Sequence, residues 1–242
     1  MSSRLTRILT KTFRQIKESL AHLLFPNLCF VCEKELAGKN KNVCSFCLEG
    51  LPENHFTEND LNNPIHQLFW GRIKVENVYA WLTYRRDTGT QDLLHQLKYK
   101  DKPQLAVALG EKLGVILQNF DWSKEIDALI PVPIHPKKRF IRGYNQSEEL
   151  AKGISAVLKV PVDNHFIKRS LHTESQTKKG RFGRWDNIEG AFRKTNTASA
   201  YKHIAIIDDV ITTGATLEKI VRQIHKKNPD LRVSLISLAF AQ

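Results

Sequence analysis

The chain has 242 residues, 41% hydrophobic and 26% charged, enough for one substantial domain with a core and a small appendage. No apolar run approaches the ~20 residues that a membrane span requires, which excludes a spanning helix and predicts a soluble protein. Lys and Arg outnumber Asp and Glu by 37 to 25, a net charge of +12, and residues 128–203 alone carry +9. Such a local field attracts a polyanion: pyrophosphate, a phosphorylated sugar or nucleic acid.

In chain order, residues 4–25 set Leu5, Ile8, Leu9, Phe13, Ile16, Leu20, Leu23 and Leu24 at helical spacing among basic residues. This predicts an amphipathic basic helix over 1–26, ended by Pro26. Its apolar face is expected to pack on protein, its own or a partner's, and contact with a membrane surface stays open. Arg4, Arg7, Lys11, Arg14 and Lys17 interrupt the pattern that a secretory signal needs. The expected localisation is therefore the cytoplasm, with attachment at the inner membrane face left open.

All four cysteines follow as Cys29-x2-Cys32-x11-Cys44-x2-Cys47, within a module read as 27–56. Thiolates paired at this spacing can meet one tetrahedral ion from two tight turns, so a structural zinc is predicted. Redox pairs and ordinary buried cysteines are the alternatives. Residues 57–77 read as a linker and 78–242 as the main domain. There, strands are predicted at 78–84, 128–132, 204–207 and 233–240, with helices at 91–98, 104–118, 146–158 and 215–227. The alternation predicts an α/β fold with a mainly parallel sheet and helices on its faces.

Ile204 to Leu217 carries the most chemistry. Four apolar residues form a buried strand, Asp208 and Asp209 follow, and Thr212, Thr213, Gly214, Ala215 and Thr216 lead into a helix. Hydroxyls and backbone N–H groups at a helix N-terminus make an anion site at the carboxyl end of a strand. Carboxylates repel phosphate but accept sugar hydroxyls or magnesium beside it. The pair and the loop together point to a ribose 5-phosphate. Upstream, Pro131 to Gln146 holds Lys137, Lys138, Arg139 and Arg142 in a loop between strand and helix, suited to a second phosphate group. Downstream, Lys178, Lys179, Arg181 and Arg184 interleave with Phe182 and Trp185, a composition that suits single-stranded nucleic acid. A flap, a DNA contact and an irregular loop all remain open for that stretch.

The 204–217 segment resembles the signature of type I phosphoribosyltransferases that binds PRPP (5-phosphoribosyl 1-diphosphate). That resemblance implies ribose contacts at Asp208 and Asp209, and a 5-phosphate held by Thr212, Thr213, Gly214, Ala215 and Thr216. It also implies a pyrophosphate grip at Lys137, Lys138, Arg139 and Arg142, and magnesium bound with PRPP. More broadly, the two CxxC pairs, Leu97-Lys98-Tyr99, Pro131-Val-Pro133-Ile-His135, Arg142-Gly-Tyr144-Asn-Gln146, Thr173-Glu-Ser-Gln176, Arg184-Trp-Asp-Asn187 with Ala191-Phe192, and Asp208-Asp209 with its loop resemble the ComF family in the family's order. Tyr144 stands where that family usually has Phe. The resemblance implies a type I phosphoribosyltransferase-like domain behind a small zinc module and a role in natural transformation, with competence-machinery proteins as partners. An active phosphoribosyltransferase and a PRPP- or nucleotide-sensing regulator are the alternatives, and no residue identifies a catalytic group or an acceptor.

Overall fold

The computed structural model describes residues 28–36, 43–56, 63–85, 89–99, 102–169, 192–194 and 201–241. The expected N-terminal helix and the segment with Lys178, Lys179, Arg181, Phe182, Arg184 and Trp185 lie outside them. The chain divides into two units, residues 1–50 and 51–242. The first contains α1 (Ser45–Glu49). The second runs α2 (Pro64–Gln67), β1 (Val78–Tyr84), α3 (Gly89–Tyr99), α4 (Pro103–Leu117), a 3-10 turn (Asp121–Glu125), β2 (Ala128–Pro131), α5 (Pro136–Arg142) and α6 (Gln146–Leu158). It ends with β3 (Ile167–Arg169), β4 (Phe192–Lys194), β5 (His203–Ile211), α7 (Ala215–Lys227) and β6 (Arg232–Ala241).

β1, β6, β5 and β2 form one sheet in that order, every pair parallel. The predicted α/β class is the observed one, with helices flanking a parallel sheet. Both faces are covered, so the strands read as continuous apolar runs rather than alternating ones. Ile204 and Ile206 share a core with Leu217, Ile220, Val221 and Ile224 of α7 and with Ile65 and Phe69. Ala205 and Ile207 face the opposite side, since side chains alternate along a strand, and α6 packs against β5 there. α6 in turn lies close against α4. A Cβ at Gly153 would stand 2.1 Å from the Val107 carbonyl oxygen, and one at Gly110 2.2 Å from that of Leu150.

The outer strands are not left bare. Along β1, the Asn54 amide donates to the carbonyls of Ala80 and Leu82 at 3.2 and 2.9 Å, and Thr83 N donates to Pro52 O at 2.8 Å. Along β2, Leu129 N donates to Pro161 O at 2.9 Å. Covering an edge in this way removes a template for pairing with another chain. Part of the stretch read as linker is built into the core. Asn63 caps α2 by accepting from Ile65 N at 2.9 Å, and Ile65 and Phe69 are fully buried. No helix among the described residues is long and apolar enough to cross a membrane.

Candidate phosphate site and metal centre

β5 runs further than its apolar stretch, through Asp208 and Asp209 to Ile211. The chain then turns at Thr212 and Thr213, both exposed, and Gly214 caps α7 in the left-handed region at φ 70°. Two constraints select glycine there. The positive φ is unfavourable for any residue with a Cβ, and a Cβ would lie 2.6 Å from Phe69 Cε1. Thr213 Oγ1 accepts from Ala215 N at 3.4 Å, and its carbonyl accepts from Arg72 at 3.2 Å. Arg72 also binds Glu218 of α7, Nε to Oε2 at 3.0 Å, so the loop is braced from the α2 side.

The acidic pair is held by two helices. Asp208 Oδ1 accepts from Ser147 Oγ at 3.2 Å and from Asp209 N at 2.9 Å. Asp209 Oδ2 lies 3.1 Å from Lys98 Nζ, at the end of α3. Burial, and after it the neighbouring Asp209 carboxylate, push the Asp208 carboxyl well above the usual range; its hydrogen bonds only partly offset this. A carboxyl under such pressure is suited to a bound cation or to polarised hydroxyls.

Three separate sequence motifs meet behind the pair. Tyr144 Oη donates to Leu97 O at 2.5 Å, and the Gln146 amide donates to the same carbonyl at 3.2 Å. Asn145 donates to Val132 O at 3.0 Å and accepts from Ser147 N at 3.2 Å, capping α6. The 142–147 segment therefore fixes both Lys98, through its neighbour Leu97, and Ser147. Sequence reasoning quoted Leu97-Lys98-Tyr99 as a motif without giving Lys98 a role, and it missed Ser147. The signal available for Ser147 was its position directly after Arg142–Gln146.

The segment expected as a cationic loop is a short helix, α5. Pro136 suits its first position, His135 Nδ1 accepts from Lys137 N at 3.2 Å, and Gly143 ends it at φ 75°. Lys137 and Lys138 are exposed. Arg139 pairs with Glu148 at 3.3 Å, and Arg142 donates to Gln146 at 3.0 Å. Two cavities of about 530 Å³ lie away from the acidic pair. One is lined by Arg72, Lys219 and Arg222, the other by Ile134, Arg139, Phe140 and Lys168.

In the first unit, the four cysteine sulfurs lie within 4.8 Å of one another. Zn–S bonds of about 2.3 Å in a tetrahedron put sulfurs about 3.8 Å apart, and Cys32 and Cys44 Sγ are 3.8 Å apart. The local folding explains the convergence. Glu33 takes φ 60°, which lets Glu33 N reach Cys29 O at 2.9 Å. Cys44 caps α1, its sulfur accepting from Cys47 N at 3.4 Å, while Cys29 Sγ accepts from Cys44 N at 3.3 Å. Burial pushes the Cys29 thiol up, but the N–H groups of Cys32, Cys44 and Val31 outweigh it and bring it to about 6. Burial and the other three cysteines push Cys47 up. This group could hold a metal such as zinc, and four thiolates would leave no open position for catalysis.

Comparison with known proteins adds an independent line. No family model matches the chain. The chain is 25% identical to Competence protein F of Haemophilus influenzae over 210 residues, 85% of this chain and 87% of that protein. It is 27% identical to the DNA utilization protein YhgH of Escherichia coli over 218 residues, 83% of this chain and 91% of that one. It is 25% identical to Competence protein ComFC of Bacillus subtilis over 214 residues, 87% and 83%.

Proposed function

We propose, from the membership of this chain in the ComF family, that it acts in natural transformation, handling incoming single-stranded DNA, through a domain that binds PRPP with magnesium. The observation that carries the ligand reading is the Asp208–Asp209 pair at the end of β5, directly before the Thr212–Thr216 turn that opens α7. Asp208 and Asp209 take the ribose hydroxyls. The hydroxyls and N–H groups of Thr212, Thr213, Gly214, Ala215 and Thr216 take the 5-phosphate. Lys137, Lys138, Arg139 and Arg142 serve the pyrophosphate, and magnesium would offset the charge gathered between phosphates and carboxylates. The names of the relatives, competence and DNA utilization, support the DNA side of this reading.

A second reading, an active phosphoribosyltransferase, draws support from Asp208, because strongly shifted carboxyls cluster at working sites. One experiment separates the readings. Zinc-loaded protein is titrated with PRPP and magnesium, then with a fluorescent single-stranded oligonucleotide at two salt concentrations. Binding of both, with Asp208→Asn losing only PRPP, supports the proposal. PRPP binding alone shifts the case to the enzyme or to a PRPP sensor, and an acceptor screen follows. Oligonucleotide binding without PRPP means that the loop serves another phosphate.

A further inference from the structure

α5 buries none of its residues. Phe140 is 91% exposed and Ile141 75% exposed, at the end of a helix otherwise made of Pro136, Lys137, Lys138, Arg139 and Arg142. An apolar ring placed in water contributes nothing to the fold, yet the helix carrying it is firmly fixed. His135 caps its start, Gly143 ends it in the left-handed region, and Arg139 and Arg142 tie it to α6. The ring is therefore presented on a helix held at both ends.

Phe140 borders a cavity of about 530 Å³ that lies between α5 and β3. Ile134, Pro136 and Ile167 supply apolar lining, while Arg139, Lys168 and Arg169 supply charge. Among the described residues of the lining, Asn164 is the only uncharged polar side chain and none is acidic. Among the described residues Arg169 Nε is buried without a hydrogen-bond partner, and its guanidinium carbon lies 5.5 Å from the centre of the Phe192 ring. A buried donor left unpaired is costly unless a ligand completes it.

An exposed aromatic face among cations, over a partly apolar cleft, matches the chemistry of an unpaired nucleotide. Its base stacks and its phosphate meets the cations. A duplex keeps its bases paired inside and offers no free face to Phe140. We propose that this cleft is a subsite for single-stranded nucleic acid, with Phe140 as the stacking platform and Lys168 and Arg169 contacting phosphates. The inference rests on the DNA-handling reading above and locates that function on described residues, apart from the acidic pair.

The test uses the full-length, zinc-loaded protein and fluorescent oligo(dT), with affinity read across a salt series. Phe140→Ala is expected to weaken binding about tenfold or more, as loss of one stacked base does, with an unchanged salt slope. Phe140→Trp is expected to retain binding. Lys168→Gln is expected to flatten the slope by about 0.7, one phosphate contact on a single strand. An abasic strand of the same length is expected to abolish the difference between wild type and Phe140→Ala. Equal oligo(dT) affinity for wild type and Phe140→Ala overturns the subsite and leaves the DNA-handling reading standing. So does a difference that persists on the abasic strand, because stacking requires a base. Wild-type protein that binds PRPP but no oligonucleotide removes the DNA-handling reading, and the subsite with it. Because Phe140 is exposed, neither substitution threatens the core.

Discussion

Lys98 Nζ lies 3.1 Å from Asp209 Oδ2, with both side chains largely shielded from water. The ammonium is the described counter-ion of a carboxylate pair whose other member, Asp208, is already pushed toward protonation. Removing it leaves two adjacent carboxylates with less compensation, and an added divalent cation then has more to gain. Lys98→Met is expected to lower the melting temperature by a few degrees at pH 7.5. Millimolar magnesium should restore most of that loss while changing wild type little. Scanning fluorimetry with and without magnesium chloride reads this directly, and an equal magnesium response in both proteins would show that Lys98 does not balance the pair.

The Asp208 carboxyl gives a pH prediction. Its pKa is raised in the folded state, by burial first and by Asp209 second. The folded protein therefore binds that proton more tightly than the unfolded chain does. The associated stability is present below the ordinary carboxylate range and is lost as pH rises through the raised pKa. Asp208→Asn removes this loss. Its melting temperature is expected to exceed that of wild type at pH 8, with the gap closing toward pH 4. The same variant should lose PRPP binding, the usual opposition between stability and function at a site. A gap constant from pH 4 to pH 8 would mean that Asp208 ionises normally.

Why some of this was legible in sequence and some was not follows from range. The buried strands and the helices at 146–158 and 215–227 were readable because apolar runs and caps are local signals, and Asn145 and Gly214 mark the starts of those helices. The order β1-β6-β5-β2 places the last strand inside the sheet, which no local pattern encodes. Residues 63–75 read as linker because their polar neighbours dominate the composition. The burial of Ile65 and Phe69 depends on a partner helix far along the chain. At the site, Asp208 and Asp209 stood out by type and spacing, whereas Lys98 and Ser147 acquire a role only when α3 and α6 meet β5. The cationic stretch at 137–142 was visible as charge. Its helical form depends on Pro136, His135 and Gly143 acting together.

Gly214 and Phe69 make a second pair that mutation can dissect. An alanine at 214 meets a φ of 70° and a Phe69 ring carbon 2.6 Å from its Cβ. The backbone penalty is about 1–2 kcal/mol, and the clash adds about 1–3 kcal/mol if the ring cannot move. Gly214→Ala is expected to destabilise by about 3 kcal/mol in urea unfolding, within those combined ranges. In a Phe69→Ala background, the backbone part and a closer contact with Leu68 Cδ2, 3.1 Å from that Cβ, should remain. The coupling in this double-mutant cycle measures how tightly Phe69, just after α2, braces the phosphate turn. Strict additivity would mean that the ring yields freely and that the turn is shaped by its own backbone alone.

The cysteine group offers the last test, because its geometry is specific about number as well as identity. Four sulfurs within 4.8 Å of one another suit one ion, not two. Elemental analysis of protein purified without chelator is expected to give one zinc per chain, and Cys44→Ser is expected to lose it. Cys44 is the informative choice, since its sulfur lies 3.8 Å from Cys32 and also receives the Cys47 N–H. Serine keeps a weaker acceptor for that N–H but supplies no thiolate, so the cap persists while tetrahedral sulfur ligation fails. Among the described residues of 28–50, few side chains are buried, Cys29, Leu36 and Val43 among them. Metal binding is therefore expected to contribute much of their folding energy. Chelation should expose this unit to limited proteolysis, and one zinc still bound to Cys44→Ser would argue against ligation by all four cysteines.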